Sequence, residues 1–462
     1  MKLLAIILFF SQQSLASLGH LATELLKENA DVIEAQGAKE KSQLDIKALQ
    51  TSRTWTLSAS GTKTDAKSES ATTYTSNPYD LTNYTLGIQK AFEWGGTLNL
   101  NNTLSSVEAS GIERNGFSQG LSYSQDIGSN FLGATFFKDV KILEGASRAT
   151  EFAQNEKIQS VLFALSQSYT NAQLNIALVE LQKEAIERAV KRMELIKGRV
   201  RDGLREEVDL IQARMALLAA QEQLKSFSIA TSSALDKLAS LMHREVKENE
   251  IENLNLQKRS LSIPSKTIDH NLSLQAVEEK LKIAQLQNEK NSLSFIPSIT
   301  FTASVTNNDY DPNQSTAISK GKIGGEQKDV TAMVSLTWAI GNAPQRVEEQ
   351  KVQIDKQVAS ERLKKLKVSL EESVKELQKQ ITILDETIEL TSKRKDLAVK
   401  ALAEYTKLYR RGKADLDQVI RSEEDLINTE RALVQNISQR QLLAYSLATI
   451  YGSLDEFVME KK

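Results

Sequence analysis

Few residues of this 462-residue chain could do covalent or metal chemistry. There is no cysteine, which removes disulfides, thiol catalysis, cysteine-bound zinc and a lipid-carrying N-terminal cysteine together. His20, His243 and His270 lie far apart, with no second ligand at helical spacing, so they read as polar surface residues rather than a metal site. No Gly-rich phosphate loop ends in Lys-Ser or Lys-Thr. The carboxylate pairs Glu371-Glu372 and Glu423-Glu424 fall in charged helical patterns, where they read as solvated faces. The expectation is a protein without catalytic residues, cofactor or metal.

Composition narrows the partners. Lys and Arg number 58 against 60 Asp and Glu, so no net field draws the chain to nucleic acid. Aromatics are 6% and hydrophobics 40%, lean for a compact core but suited to long helices with one apolar stripe each. At the amino terminus, Lys2, the apolar run Leu3 to Phe10 and the small residues Ser14-Leu15-Ala16 form a signal-peptide pattern, read here as residues 1–16 with cleavage after Ala16. The run is about half of the ~20 residues that a spanning helix needs. If the chain enters a membrane, it must do so with strands.

The elements come in blocks, and the blocks repeat. A charged helix covers Leu18 to Leu49, followed by strands within residues 51–128, a long helix over 134–202, a helix over 204–243 and an irregular stretch over 245–265. From residue 266 the order recurs: a helix, strands within 295–340, a long helix over 345–411 and a helix over 413–451. This divides the mature chain into a first repeat, 17–265, and a second, 266–462. Thr56-Leu57-Ser58-Ala59-Ser60 matches Thr300-Phe301-Thr302-Ala303-Ser304 at an offset of 244, and Gly203 matches Gly412 at 209. The difference, 35 residues, is an insertion in the first strand block. At 1.5 Å per residue the unbroken helices run roughly 85 to 100 Å, far beyond a compact domain. The expected fold class is therefore mainly α with strands at one end of long helices, built on an internal duplication; the β-barrel portion is what the resemblance below implies.

The signal-peptide pattern, the duplicated order and the paired glycine turns together resemble the TolC family of outer-membrane efflux and secretion channels, over essentially the whole mature chain. That resemblance implies a homotrimer whose strands form a β-barrel in outer-membrane lipid and whose helices form a periplasmic α-barrel. It implies a passive exit duct for a tripartite efflux pump or type I secretion system. The partners would be a periplasmic adaptor and an inner-membrane pump of RND or ABC type. Arg201, Asp202, Gly203 and Leu204, with Arg410, Arg411, Gly412 and Lys413, occupy the turns that dock the adaptor in the family. Asp209, six after the first glycine, and Tyr409, three before the second, match positions of family gate residues. Acidic residues six and nine after the second glycine are replaced by Gln418 and Arg421, so the family's cation-selective ring does not carry over. The alternative is a periplasmic or secreted coiled-coil scaffold resembling an adaptor, against which the duplicated order argues.

Physics bears on the membrane reading independently. A barrel is the spanning structure open to a chain without an apolar 20-mer. Trp55, Trp94 and Trp338 lie in or beside predicted strands and none in helices, as interface aromatics would; the rival is packing inside a soluble β-sandwich. The family uses two strands per half, whereas the first half here has four candidates. With Gly95-Gly96 as a periplasmic turn, the loops at Asp65 to Asp80 and Val107 to Gly116 would lie outside. The insertion is then expected to add a hairpin to the wall, giving six strands per protomer, the rival being a hairpin over residues 82–106 held away from it.

Overall fold

The structure, a computed structural model, describes residues 18–66, 79–109, 111–254, 267–325, 328–341 and 343–459. The signal-peptide reading, the greater part of the outer loop at Asp65 to Asp80 and Pro264 lie outside the described residues. The chain divides into two compact units, one of residues up to Ala38, Glu151–Ala276 and Leu363–Lys462, the other of Lys39–Thr150 and Val277–Arg362.

The second unit is built on one six-stranded antiparallel sheet in sequence order: β1 (Trp55–Ala66), β2 (Tyr79–Ala91), β3 (Gly96–Ala109), β4 (Ile112–Asp126), β5 (Ser298–Asp311) and β6 (Lys328–Thr337). The inserted hairpin, β2 and β3, is paired along its length on both sides and stands within the sheet. One expectation is corrected: Val107 to Gly116 is no long loop, because β3 runs to Ala109 and β4 starts at Ile112. Gly111 at φ +78° allows so short a reversal.

Register sorts the side chains by face, since residues opposite each other share a side and alternate along each strand. One face carries Leu57, Ile88, Leu100, Leu121, Val305 and Val330 in a single cross-strand row. The other carries Ser58, Gly87, Asn101, Gly120, Thr306 and Asp329. The apolar face is open, with Leu57 71% and Val330 72% exposed. At the foot of the sheet, the start of α3 (Ala134–Arg201) is tied to α5 (Leu272–Leu293) by ion pairs Lys138–Glu289 at 2.7 Å and Lys290–Asp139 at 2.6 Å.

The helical unit holds the core. The helix expected over Leu18 to Leu49 is two, α1 (Leu18–Glu28) and α2 (Ala30–Thr51). Asn29 interrupts them because its side chain accepts from the Asp31 and Val32 amides, re-capping the chain at that point. Leu21, Leu25, Leu162, Leu165, Leu238, Tyr445 and Leu454 pack together, bringing α1, α3, α4 (Glu207–Met242), α8 (Leu416–Ile450) and the short α9 (Leu454–Met459) into one cluster. The duplication is plain in lengths: α3 and α7 (Ala343–Arg410) are 68 residues each, and the helices that follow are 36 and 35. No helix among the described residues is long and apolar enough to cross a membrane.

Candidate functional site at the paired glycine turns

Each long helix ends in the same device. Gly203 at φ +69° lets its amide reach Val200 O and the Leu204 amide reach Arg199 O; Gly412 at φ +72° does the same with Tyr409 O and Leu408 O. This double bond to the last turn satisfies carbonyls that a helix end leaves unpaired, and the left-handed backbone it needs favours glycine. The next helices then restart at equal spacing, at Glu207 and Leu416, the latter through a capping box in which Gln418 accepts from the Asp415 amide at 3.2 Å.

The two turns meet over Tyr409. Its ring is 1% exposed and packs with Ile196, Ala213, Ala414, Leu416 and Val419. The guanidiniums of Arg199 and Arg205 sit 5.2 Å and 4.7 Å from its centroid. Arg199 also donates from Nη1 to Tyr409 O at 2.8 Å and from Nη2 to Arg410 O, capping α7 from the side of α3. Arg205 donates to Ala414 O at 3.3 Å and pairs with Asp209 at 3.9 Å. Burial pushes the Tyr409 hydroxyl pKa up, and the phenol oxygen has no hydrogen-bond partner among the described residues. Tyr409 and Asp209 thus lie in one cluster but are joined through Arg205 rather than to each other. Neither arginine stands out in the sequence. The only signal for them was their position, four before and two after Gly203.

The remaining turn residues face outward. Arg201 and Asp202 pair with each other at 3.3 Å, and Leu204 is 70% exposed. Arg410, Arg411 and Lys413 are exposed cations. Arg421 is spent on Asp417 at 2.8 Å.

Farther up α3 lies a polar layer that the sequence reading missed. Glu423 is not on a solvated face: it is 5% exposed and paired with Arg192, with Arg188 Nε at 3.8 Å. Glu430 faces Arg188 at 3.5 Å and Lys395 at 3.9 Å, and burial raises its pKa despite both cations. A cavity of about 300 Å³ opens beside Arg192 and Glu423, walled by Ala185, Ala189, Ala216, Ala219 and Ala220. The three histidines are all exposed, as expected.

In the sheet unit the three tryptophans share one end. Trp55 opens β1 with Lys90 over its ring, Trp338 follows β6, and Trp94 stacks on Phe92 at 4.4 Å in the turn after β2 while donating to Tyr123 Oη at 3.2 Å. Trp55, Trp94 and Trp338 are all exposed, which a packed sandwich interior would not allow.

The sequence matches no protein-family model and no curated protein. Solved structures do match in three dimensions. VceC, an outer membrane protein from Vibrio cholerae, is 18% identical with a TM-score of 0.68, over 95% of this chain and 96% of that one. The CmeC outer membrane channel of Campylobacter jejuni gives 15% and 0.66, over 95% of this chain and 86% of its own. The open state of the MtrE outer membrane channel of Neisseria gonorrhoeae gives 16% and 0.67, over 95% and 88%. The long antiparallel helices, the duplicated order and the six-stranded sheet give this chain the fold of the TolC-type outer-membrane channels.

Proposed function

We propose that the chain is one third of an outer-membrane exit duct, exported by a signal peptide cleaved after Ala16 and not lipidated. Three copies close a barrel in outer-membrane lipid, and their helices line a periplasmic conduit. The observation that carries this reading is the sheet: one exposed apolar face, one face of Ser, Thr, Asn and Gly, and edges β1 and β6 that do not pair with each other. Such a sheet is stable where hydrocarbon covers the first face, water fills the second, and a neighbouring copy pairs each edge.

The helices support the same assembly. On α4, Val208, Ile211, Met215 and Leu218 are exposed at spacings of three and four, and on α7 Ile383, Leu390 and Leu397 are exposed at spacings of seven. These are coiled-coil seams without a partner in one chain, and neighbouring copies would cover them.

The duct works passively. The cluster of Tyr409, Arg199, Arg205 and Asp209 holds the turns together at rest. An adaptor docking on Arg201 to Leu204 and Arg410 to Lys413 shifts them, and an inner-membrane pump supplies the energy. No cofactor or catalytic group is involved, and the duplicated repeats, 17–265 and 266–462, supply equivalent helix pairs to the wall. Purified protein in detergent should run as a trimer and give discrete conductance steps in a planar bilayer. A folded monomer that stays dissolved without detergent would sink the reading.

A further inference from the structure

The apolar face of the sheet is broken in one row. Asn102, Gln119 and Asn307 stand side by side on β3, β4 and β5, between a row of Leu and Val and a row holding Tyr84, Leu104 and Phe117. Bare amides facing hydrocarbon would be costly. Here most of their polar atoms are engaged, Asn307 Oδ1 excepted. Gln119 donates to Asn102 Oδ1 at 2.7 Å and accepts from the Ile323 amide at 3.0 Å, and Asn307, fully buried, donates to Lys320 O at 2.9 Å and to Lys322 O.

These bonds fasten the β5–β6 connection onto the outward face. Within that connection a short helix, α6 (Gln314–Lys320), packs on β4 and β5 with Ala317 buried, and Gly321 lies so close to Phe117 O that a Cβ would collide with it. The polar row is therefore a dock for a segment of the chain's own backbone.

The docked segment carries Lys320 and Lys322, and register places Lys328 opposite Asn307 on the same face. Lys320 is partly neutralised by Asp311 at 3.3 Å, and Asp309 lies one row away. Lys322 and Lys328 are exposed and have no ion pair among the described residues. Height matters next. β6 runs 10 residues from Lys328 to the residue before Trp338. At ~3.3 Å per residue and a tilt of ~40°, that covers roughly 25 Å, the height of the apolar band of an outer-membrane barrel. With the tryptophans at one interface, the lysines stand at the other.

We propose that Lys322, on the docked β5–β6 connection, and Lys328, at the start of β6, bind the phosphorylated headgroup of an outer-leaflet lipid whose acyl chains lie along the apolar face. The inference rests on the membrane reading above. On the same face, Ala59 and Gly61 of β1 leave a shallow groove between Tyr84, Leu86, Leu104 and Phe117.

The test is lipid titration of the purified full chain in detergent, read by native mass spectrometry. The probes are a bisphosphorylated glucosamine lipid, its dephosphorylated form and inorganic phosphate. The phosphorylated lipid should bind in preference, and Lys322→Gln with Lys328→Gln should weaken it by about 30-fold, the product of two near-surface lysines. Gln119→Leu, which keeps both lysines but frees the Ile323 amide, should weaken it too. Equal binding of the two lipid forms, an unchanged double variant, or saturation by inorganic phosphate alone would each overturn the site. A protein that conducts in a bilayer yet shows any of these overturns only this inference. One that never enters a bilayer overturns the membrane reading as well.

Discussion

Arg199 holds Tyr409 at two points, its guanidinium 5.2 Å from the ring centroid and its Nη1 2.8 Å from the carbonyl oxygen of the same residue. One side chain on α3 thus packs the ring and caps the end of α7. Charged hydrogen bonds of this kind contribute about 1.5–3 kcal/mol and a cation over a ring about 0.5–2. Arg199→Ala should therefore loosen the second turn by about 2–4 kcal/mol. The expected sign is faster hydrogen exchange at residues 410–416 and a larger or noisier conductance, while exchange in the sheet stays unchanged.

Tyr409→Phe separates the ring from its hydroxyl. Because the phenol oxygen is buried with no partner, removing it should cost less than about 0.5 kcal/mol or stabilise slightly. Tyr409→Ala removes a buried aromatic and should cost about 3–5 kcal/mol. Paired thermal melts of the two variants check this. A large loss in the phenylalanine variant would show that the hydroxyl has a partner in the assembled protein.

The two turn glycines need their backbone and not their small size. A Cβ at Gly203 or Gly412 would meet nothing within 4 Å, yet both sit at positive φ. Alanine at either should cost about 1–2 kcal/mol, through the left-handed conformation alone. Asparagine, which tolerates that conformation, should recover part of the loss in denaturant titration.

Removing one charge from the buried layer should be harsher than removing two. Arg192→Ala leaves the buried Glu423 with Arg188 Nε at 3.8 Å and should cost about 3–5 kcal/mol. Arg192→Met combined with Glu423→Leu should recover most of that loss, giving a large coupling energy in a double-mutant cycle.

Acid weakens the pair between α1 and the chain after α4. Hydrogen bonds from Arg244 at 2.6 Å and 3.0 Å, the largest cause, hold the Glu24 carboxyl below its ordinary range. Its contribution to stability is complete above the unfolded carboxylate pKa and is lost as pH falls through the lower folded value. Glu430, with its pKa raised by burial, runs the other way, its contribution present at low pH and lost as pH rises through the folded value. Glu24→Gln should lower stability at neutral pH and flatten its decline as pH falls below the ordinary carboxylate range. Chemical denaturation at stepped pH measures both slopes.

Much of the fold was legible from local pattern. Helical and two-residue periodicities, glycine at helix ends and the repeated block order are properties of single segments. They place both long helices and both turns within a few residues of their observed limits. Where a side chain interrupts its own segment the pattern misled. Asn29 caps what reads as one helix, and α6 hides in a stretch whose Asn, Asp and Gly content reads as loop.

By itself, then, the sequence determined the type, length and order of the elements, because the apolar spacing of each segment specifies which face it must bury. Tertiary structure alone decided the partners. Arg199 and Tyr409 are 210 residues apart in sequence, as are most of the groups that meet at the turns. Glu423 looks like any carboxylate on a charged helix until α3 brings Arg192 against it. The same holds for Asn307 and Gln119, whose amides look like surface polarity until a connecting segment folds over them. Periodicity says that a face is covered; only packing in space says by what.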